Sequence, residues 1–155
     1  MDIVVCIKRV PATDATIKIA ADGKSIDTTG VQFVLNAYDE FAVEQALKIK
    51  EQLGTGTVTV VTIGSKDAQK ELRDTLGRGA DKAVLLTTDQ WMHDGAATAA
   101  ALAAWIKTQP CNLVLCGRQA MDSDNNQLPA NLATRLGFAC ITEVTKLTLE
   151  NGTFT

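Results

Sequence analysis

Continuous apolar runs alternate with amphipathic stretches along most of the chain. The runs are typical of strands that are covered on both faces of a parallel sheet. They comprise residues 2–7, 57–63, 83–86 and 113–116. Between and after them, apolar residues recur at three- and four-residue spacing, which predicts four helices. These helices are expected over residues 36–53, 65–76, 95–107 and 128–136.

A short fifth strand is predicted at Cys140–Thr142. Because strands and helices alternate, we predict a doubly wound, mainly parallel five-stranded sheet with helices on both faces. Asp22-Gly23 and Asn151-Gly152 are turn signals for small β-hairpins outside that sheet. The length suits one domain, so residues 1–155 are expected to form a single α/β domain, apparently truncated within its last hairpin.

The strand that ends at Cys116 leads into a loop in which most side chains can hydrogen-bond. A turn needs far fewer polar groups. In open α/β sheets, ligands bind beyond the carboxyl ends of the strands, where the next helix also offers free N–H groups to an anion. A ligand site is therefore predicted here, with a solvated surface loop as the alternative. Its candidate residues are Gly117, Arg118, Gln119, Ala120, Met121, Asp122, Ser123, Asp124, Asn125, Asn126, Gln127 and Leu128.

Other polar residues follow the remaining strands. Lys8, Arg9, Gly64 and Ser65 come after the first and second strands and are candidates to line the same crevice. At the start of the first long helix, Asn36 or Asp39 is predicted to cap the free N–H groups.

Charge and cysteine content exclude several classes of protein. The net charge is -3, and no basic run exceeds two residues, which argues against nucleic acid as a partner. No apolar stretch is long enough for a bilayer and no signal peptide is evident, so we expect no membrane insertion and a cytoplasmic location, or the mitochondrial matrix in a eukaryote. The spacing of the four cysteines favours neither zinc nor structural disulfides.

Motifs for catalysis and for phosphate-binding loops are missing from the sequence. It contains no GxGxxG after the first strand, no P-loop, no GxSxG and no HExxH. The only histidine, His93, stands in a polar loop with Trp91 and Met92 and is interpreted as a surface residue. Asp122 and Asp124 could form an acid/base pair, but a cap or a ribose acceptor is the more ordinary role. We therefore predict a bound nucleotide without turnover, no catalytic residue and no metal ligand.

Four ordered blocks of the chain resemble the electron transfer flavoprotein beta subunit. They are CIKRVP at residues 6–11, NAYDEFAVE at 36–44, RDTLGRGAD at 73–81 and GRQAMDSDNNQ at 117–127. The resemblance implies an adenine-nucleotide-binding fold and a heterodimer, in which the alpha subunit carries the redox-active FAD and this chain helps to hold it. Electrons would pass from flavin-dependent dehydrogenases to a quinone reductase, and the beta subunit's own crevice would hold AMP as a structural ligand.

The resemblance also implies which residues contact AMP. Besides the Gly117 to Leu128 loop, these are Cys6, Asn36, Ala37, Tyr38, Asp39 and Ile63. Backbone N–H groups of the loop suit the phosphate, and Asp122 or Asp124 suits the ribose hydroxyls. Cys6 and Ile63 would contact the adenine.

Some features depart from the family pattern and leave alternatives open. Ala37 stands where the family commonly has proline, and Asp94–Thr98 only partly resembles the segment around the second FAD of electron-bifurcating members. AMP is favoured over that FAD. The C-terminal portion that wraps the alpha subunit and docks dehydrogenases is not in this sequence. Two other classes of protein are less well supported. A stand-alone adenine-nucleotide sensor would need a glycine-rich loop after the fourth strand, where this sequence has the amide-rich Asp122 to Gln127. A nucleotidyl transferase would need an HxGH motif, and His93 is not part of one.

Overall fold

The computed structural model describes residues 1–88 and 94–155. Trp91, Met92 and His93, which the sequence placed in a surface loop, lie outside the described residues. The strands are β1 Asp2–Cys6, β2 Arg9–Pro11, β3 Lys18–Ile19, β4 Ile26–Asp27, β5 Phe33–Leu35, β6 Thr57–Gly64, β7 Lys82–Thr87, β8 Leu113–Cys116, β9 Leu149–Glu150 and β10 Thr153–Phe154. The helices are α1 Ala37–Leu53, α2 Gln69–Gly77, α3 Gly95–Ile106 and α4 Leu128–Leu136, with a 3-10 turn at Lys66–Ala68.

The central sheet contains four parallel strands in the order β7-β6-β1-β8. β1 lies inside the sheet and pairs with β6 on one side and with β8 on the other. In this register Cys6 lies opposite both Val61 and Cys116. The carboxyl ends of β1 and β8 therefore lie side by side, and the segments that follow them emerge at one edge of the sheet.

Each face of the sheet packs against two helices, as predicted. Ile3 and Val5 of β1 point into a cluster with the inner residues of α1 and α2, while Val4 and Cys6 point into a cluster with α3 and α4. The alternation follows from the two-residue repeat of a strand. Full burial of a Val, Leu or Ile side chain is worth about 1.5–3 kcal/mol, so these two clusters hold the strand ends in place.

The prediction of a fifth sheet strand was wrong. Cys140–Thr142 has no strand structure, all three residues are exposed, and Ile141 is 82% exposed. Such a short segment buries too little apolar surface to offset the entropy lost on ordering it against the open edge of β8. A second difference is an antiparallel ribbon of β2 with β5 that the local pattern did not predict.

Both predicted hairpins are present. β3 and β4 pair around Asp22-Gly23, where the Asp22 carboxylate accepts hydrogen bonds from the N–H groups of Lys24 and Ser25. β9 and β10 pair around Asn151 and Gly152, which adopt positive φ angles of 50° and 79°. Two successive residues of this kind fit the twist of a two-residue hairpin turn.

Within residues 1–88 and 94–155, no helix has the length and apolar character that a membrane span requires.

Candidate functional site

A cavity of about 930 Å³ lies beyond the carboxyl ends of β1 and β8. Its walls come from the segment after β1, the β3–β4 hairpin, the N-terminal part of α3 and the loop between β8 and α4. This is the position at which open α/β sheets bind ligands. The volume falls in the upper part of the usual range for small-molecule sites, roughly 300–1,000 Å³.

Asp39 joins the ends of the two strands at the floor of this cavity. One carboxylate oxygen accepts from the Lys8 N–H at 2.7 Å, and the other accepts from the Gly117 N–H at 3.1 Å. The residue is 6% exposed. Both strands end here, so these two bonds satisfy backbone donors that would otherwise lack a ladder partner in the interior.

Burial raises the pKa of Asp39 from its ordinary value of 3.8 to about 7. The N–H of Lys8, the side chain of Asn36 and the N–H of Gly117 act against that rise because they favour the charged form. The carboxyl group therefore changes its charge close to neutral pH, directly beneath the cavity.

Asn36 holds the next part of the loop. Its amide nitrogen donates to the Gln119 carbonyl at 2.9 Å, and its amide oxygen accepts from the Met121 N–H at 3.1 Å. Asn36 is 1% exposed, so both bonds are shielded from water. The expectation that Asn36 or Asp39 caps α1 was wrong. Asn36 is the residue before the helix but makes no side-chain cap bond, and both side chains reach across to residues 117–121 instead.

The loop adds hydrogen bonds of its own. The N–H of Asp124 donates to the Ala120 carbonyl at 2.9 Å, and the Gln119 side chain donates to the Asp124 carboxylate at 2.8 Å. Asp124 and Asn126 adopt positive φ angles of 47° and 48°. Asp and Asn tolerate this left-handed conformation better than most residues, which explains their use in a tightly folded loop.

A salt bridge spans one wall of the cavity. The Lys8 ammonium lies 2.7 Å from the Asp122 carboxylate, and both residues line the cavity. Lys24 and Arg118 add positive charge to the lining. An anionic ligand would thus meet several cations, together with the free N–H groups at the start of α4.

The N-terminus of α4 faces the cavity. Residues 125–129 line it, and Pro129 at the start of the helix has no N–H to leave unsatisfied. Gly95, the first residue of α3, lies beside them, and a β-carbon there would be 3.4 Å from the Gln127 side chain. The first residues of α3 and α4 therefore lie close together at the cavity.

Most of the residues predicted for the site meet at this cavity. Those that line it are Cys6, Asn36, Asp39, Ile63, Gly117, Arg118, Gln119, Ala120, Met121, Asp122, Ser123, Asn125, Asn126, Gln127 and Leu128.

Three predicted residues do not line the cavity. Ala37 is exposed on α1, and Tyr38 lines a separate groove beside β8. The Asp124 carboxylate is taken up by Gln119, so of the two carboxylates suggested for ribose only that of Asp122 faces the cavity.

Of the four polar or small residues predicted to line the crevice after the first two strands, Lys8, Arg9, Gly64 and Ser65, only Lys8 contributes to the lining. Arg9 lies 3.4 Å from the buried Glu71 carboxylate and 4.0 Å from the centre of the Phe33 ring. Gly64 and Ser65 are not part of the lining either.

Sequence reasoning missed two walls of the cavity. The first consists of hairpin residues, among them Ile19, Ser25 and Ile26, and the second of α3 residues Thr98 and Leu102. The turn signal at Asp22-Gly23 predicted the hairpin itself, but no local pattern shows over which part of the molecule a hairpin folds.

Replacement of Asn36 by alanine is expected to loosen the loop. Removal of the buried amide leaves the Met121 N–H and the Gln119 carbonyl without their partner, at a cost of about 2 kcal/mol in the free energy of unfolding. Hydrogen exchange should become faster in residues 119–123. Asn112→Ala is the matched control, because Asn112 is exposed and its side chain accepts from the Asp2 N–H at the opposite end of the sheet. Equal effects of the two substitutions would contradict the role assigned to Asn36.

Residues 24–155 match the electron transfer flavoprotein domain family. The chain is 37% identical to the electron transfer flavoprotein subunit beta of Bacillus subtilis, covering 99% of this chain and 59% of the relative. It is 38% identical to the subunit of the same name from Clostridium acetobutylicum, and the aligned region covers 99% of this chain and 59% of that relative. It is also 38% identical to the protein FixA of Azotobacter vinelandii, and the aligned region covers 95% of this chain and 53% of that relative.

The chain thus spans between half and three fifths of the length of these relatives. The names of the Bacillus subtilis and Clostridium acetobutylicum relatives describe a subunit of an electron carrier and not a catalytic enzyme, which agrees with the prediction of a chain without turnover of its own. The family match covers most of the sequence, including the loop and the second strand of the hairpin that line the cavity. The chain therefore belongs to the electron transfer flavoprotein family, and within that family it is similar to the beta subunits.

Proposed function

We propose that the cavity beyond β1 and β8 binds AMP as a structural ligand. The observation that carries the proposal is the way Asn36 and Asp39 fix residues 117–121 at the mouth of the sheet, where the same loop continues into the N-terminus of α4. A polar loop held in advance by buried side chains loses little entropy when a ligand binds.

The lining accounts for each part of AMP. The N–H groups at the start of α4 and the ammonium of Lys8 suit the phosphate. The Asp122 carboxylate suits the ribose hydroxyls, and when the phosphate attracts Lys8, Asp122 becomes free to accept from them. Cys6, Ile63 and Leu102 supply an apolar surface for the adenine ring.

In this proposal the chain works as the beta subunit of a heterodimer in the cytoplasm. An alpha subunit carries FAD, this chain helps to hold that cofactor, and electrons pass from flavin-dependent dehydrogenases to a quinone reductase. The support is the family membership together with the names of the relatives. Co-expression with a matching alpha subunit tests it, because a stable yellow complex is expected and separate elution of the two chains would contradict the pairing.

A second candidate ligand is an FAD of the chain's own. The cavity volume of about 930 Å³ supports this second candidate, because FAD is the larger of the two ligands. We favour AMP, since the amide-rich segment Ser123–Asn126 resembles the loop of AMP-binding members.

The ligand that accompanies the purified chain decides between these candidates. The chain is denatured, the released small molecule is identified by mass spectrometry, and its absorbance spectrum is recorded. Colourless AMP in equal amount to the chain is expected. Stoichiometric yellow FAD would instead assign a redox cofactor to the cavity, and the absence of any nucleotide after reconstitution with both would contradict the proposal.

Adenosine is expected to bind much more weakly than AMP. A charge-assisted hydrogen bond is worth about 1.5–3 kcal/mol, so loss of the phosphate should lower the affinity by roughly tenfold to a hundredfold. Isothermal titration calorimetry of both compounds at the same salt concentration measures this difference. Equal affinities would show that the N-terminus of α4 does not bind the phosphate.

A further inference from the structure

Cys6 and Cys116 form a pair of free thiols in the wall of the cavity. They are the last residues of β1 and β8 and lie directly opposite each other in the parallel ladder. Both line the cavity. Neighbouring strands are about 4.8 Å apart, which falls within the range of Cα separations found for disulfides, about 4.4–6.8 Å. The other two cysteines, Cys111 and Cys140, do not line the cavity.

The two thiols differ in their solvent exposure. Cys6 is 4% exposed, and Cys116 is only partly buried. Hydrogen bonding with the Cys116 thiol, together with burial, holds the pKa of the Cys6 thiol well above its ordinary value. The sulfur of Cys116 is therefore the more accessible of the two to a reagent from solvent, while Cys6 stays protonated beside it.

We propose that Cys6 and Cys116 are a modification site at which a hydroperoxide forms a reversible disulfide that distorts the cavity. The Cys116 sulfur attacks one peroxide oxygen and becomes a sulfenic acid, and one water leaves when hydrogen peroxide is the oxidant. The Cys6 sulfur then displaces the sulfenic hydroxyl, which leaves as a second water with the Cys6 proton. The two thiols lose two electrons and two protons, and the peroxide gains both.

The position of the pair makes this bond a switch instead of a permanent crosslink. Side chains that stand side by side in a ladder must tilt together, because a disulfide needs its β-carbons about 3.8 Å apart. Strain of this kind makes a disulfide easier to reduce, as in regulatory disulfides of reducing compartments. Within residues 1–88 and 94–155, β8 is the outer strand of the sheet and pairs with β1 alone, so its end is the part that can move.

Movement of Cys116 displaces the loop that follows it. Gly117 is the next residue, and its N–H is bonded to Asp39, while the backbone of Tyr38 and Asp39 leaves no room for a β-carbon on it. A shift of this strand end loosens the floor of the cavity. The effect on AMP rests on the proposed function, whereas the disulfide and the loosened loop do not.

The test uses a variant that keeps only the pair, Cys111→Ser with Cys140→Ser. The variant is treated with hydrogen peroxide, remaining thiols are alkylated, and the peptides are mapped by mass spectrometry. A link between Cys6 and Cys116 is expected, with faster hydrogen exchange in residues 117–127 and full reversal by dithiothreitol. Addition of Cys116→Ser should abolish both changes. Absence of the link, under conditions that oxidise the exposed Cys140 of the unsubstituted chain, would overturn the proposal.

AMP binding gives a separate readout. Oxidation of the same variant should lower its affinity for AMP by about tenfold, within the usual range of coupling between two sites. An unchanged affinity for AMP in the disulfide-linked protein would overturn the proposal that the disulfide distorts the cavity. A reduced protein that does not bind AMP at all would count against the proposed function only, because the mapped disulfide and the exchange rates are measured without a nucleotide.

Discussion

Replacement of Gly117 by alanine is expected to lower the free energy of unfolding by about 3 kcal/mol, the upper part of the usual range for overpacking a buried site. Gly117 is buried, and a β-carbon there would overlap the Asp39 carboxylate and lie 2.7 Å from the carbonyl carbon of Tyr38. It would also lie 2.8 Å from the Asp39 backbone nitrogen. Because the obstacles include backbone atoms of α1, no side-chain rotation relieves them.

Urea denaturation measures this effect, with Gly77→Ala as the matched control. Gly77 closes α2, and a β-carbon there would meet no atom within 4 Å. Alanine favours helix over glycine, so the control should be neutral or stabilising by up to about 1 kcal/mol. The Gly117 variant should also lose AMP binding, since the loop would have to leave Asp39. Similar denaturation midpoints for the two variants would show that strand β8 and α1 are not in the close contact described above.

The free energy of unfolding is expected to fall as the pH rises from about 4 to about 7, through the contribution of Asp39. The folded chain keeps the Asp39 proton up to a pKa of about 7, whereas the unfolded chain releases it near 3.8. This stabilising contribution is thus fully present below pH 3.8 and is lost as the pH rises through 7. Roughly three pKa units correspond to about 4 kcal/mol.

The pH effect is isolated by comparison with Asp39→Asn, which cannot titrate. The difference in stability between the original chain and this variant should change over the pH window from 4 to 7 and stay constant above it. Asp81→Asn serves as the control. The hydrogen bond from the Lys50 side chain and, with a smaller effect, that from the Val58 N–H lower the Asp81 pKa, so this carboxyl titrates below the window. A constant difference for Asp39→Asn across the whole window would refute the raised pKa.

The repeating pattern of the sequence was enough to predict the central architecture. All four strands of the sheet and all four helices were predicted near their observed positions. A strand that is buried on both faces is continuously apolar, whereas a helix that is buried on one face has apolar residues at three- and four-residue spacing. The antiparallel ribbon was missed. Three-residue strands such as β2 and β5 are too short for an alternation of apolar and polar residues to be recognised.

The candidate site could be located from sequence but not assembled from it. The density of polar groups between Arg118 and Gln127 marked the loop. The structural role of Asn36 and Asp39 could not be read locally, since a polar residue at a helix start has the same pattern whether it caps the helix or reaches another segment. Only the fold brings the amide of Asn36 beside Met121 and the carboxylate of Asp39 beside Gly117.

The bonds that shape the loop also determine when the site can form during folding. They join residues that are 78, 83 and 85 positions apart in the chain. Closing so long a segment costs entropy that local contacts cannot offset, so the loop takes its shape only after the two halves of the chain have met across β1 and β8. A nucleotide that needs this shape would not bind a half-folded chain. It would instead draw the folding equilibrium towards the complete domain by mass action.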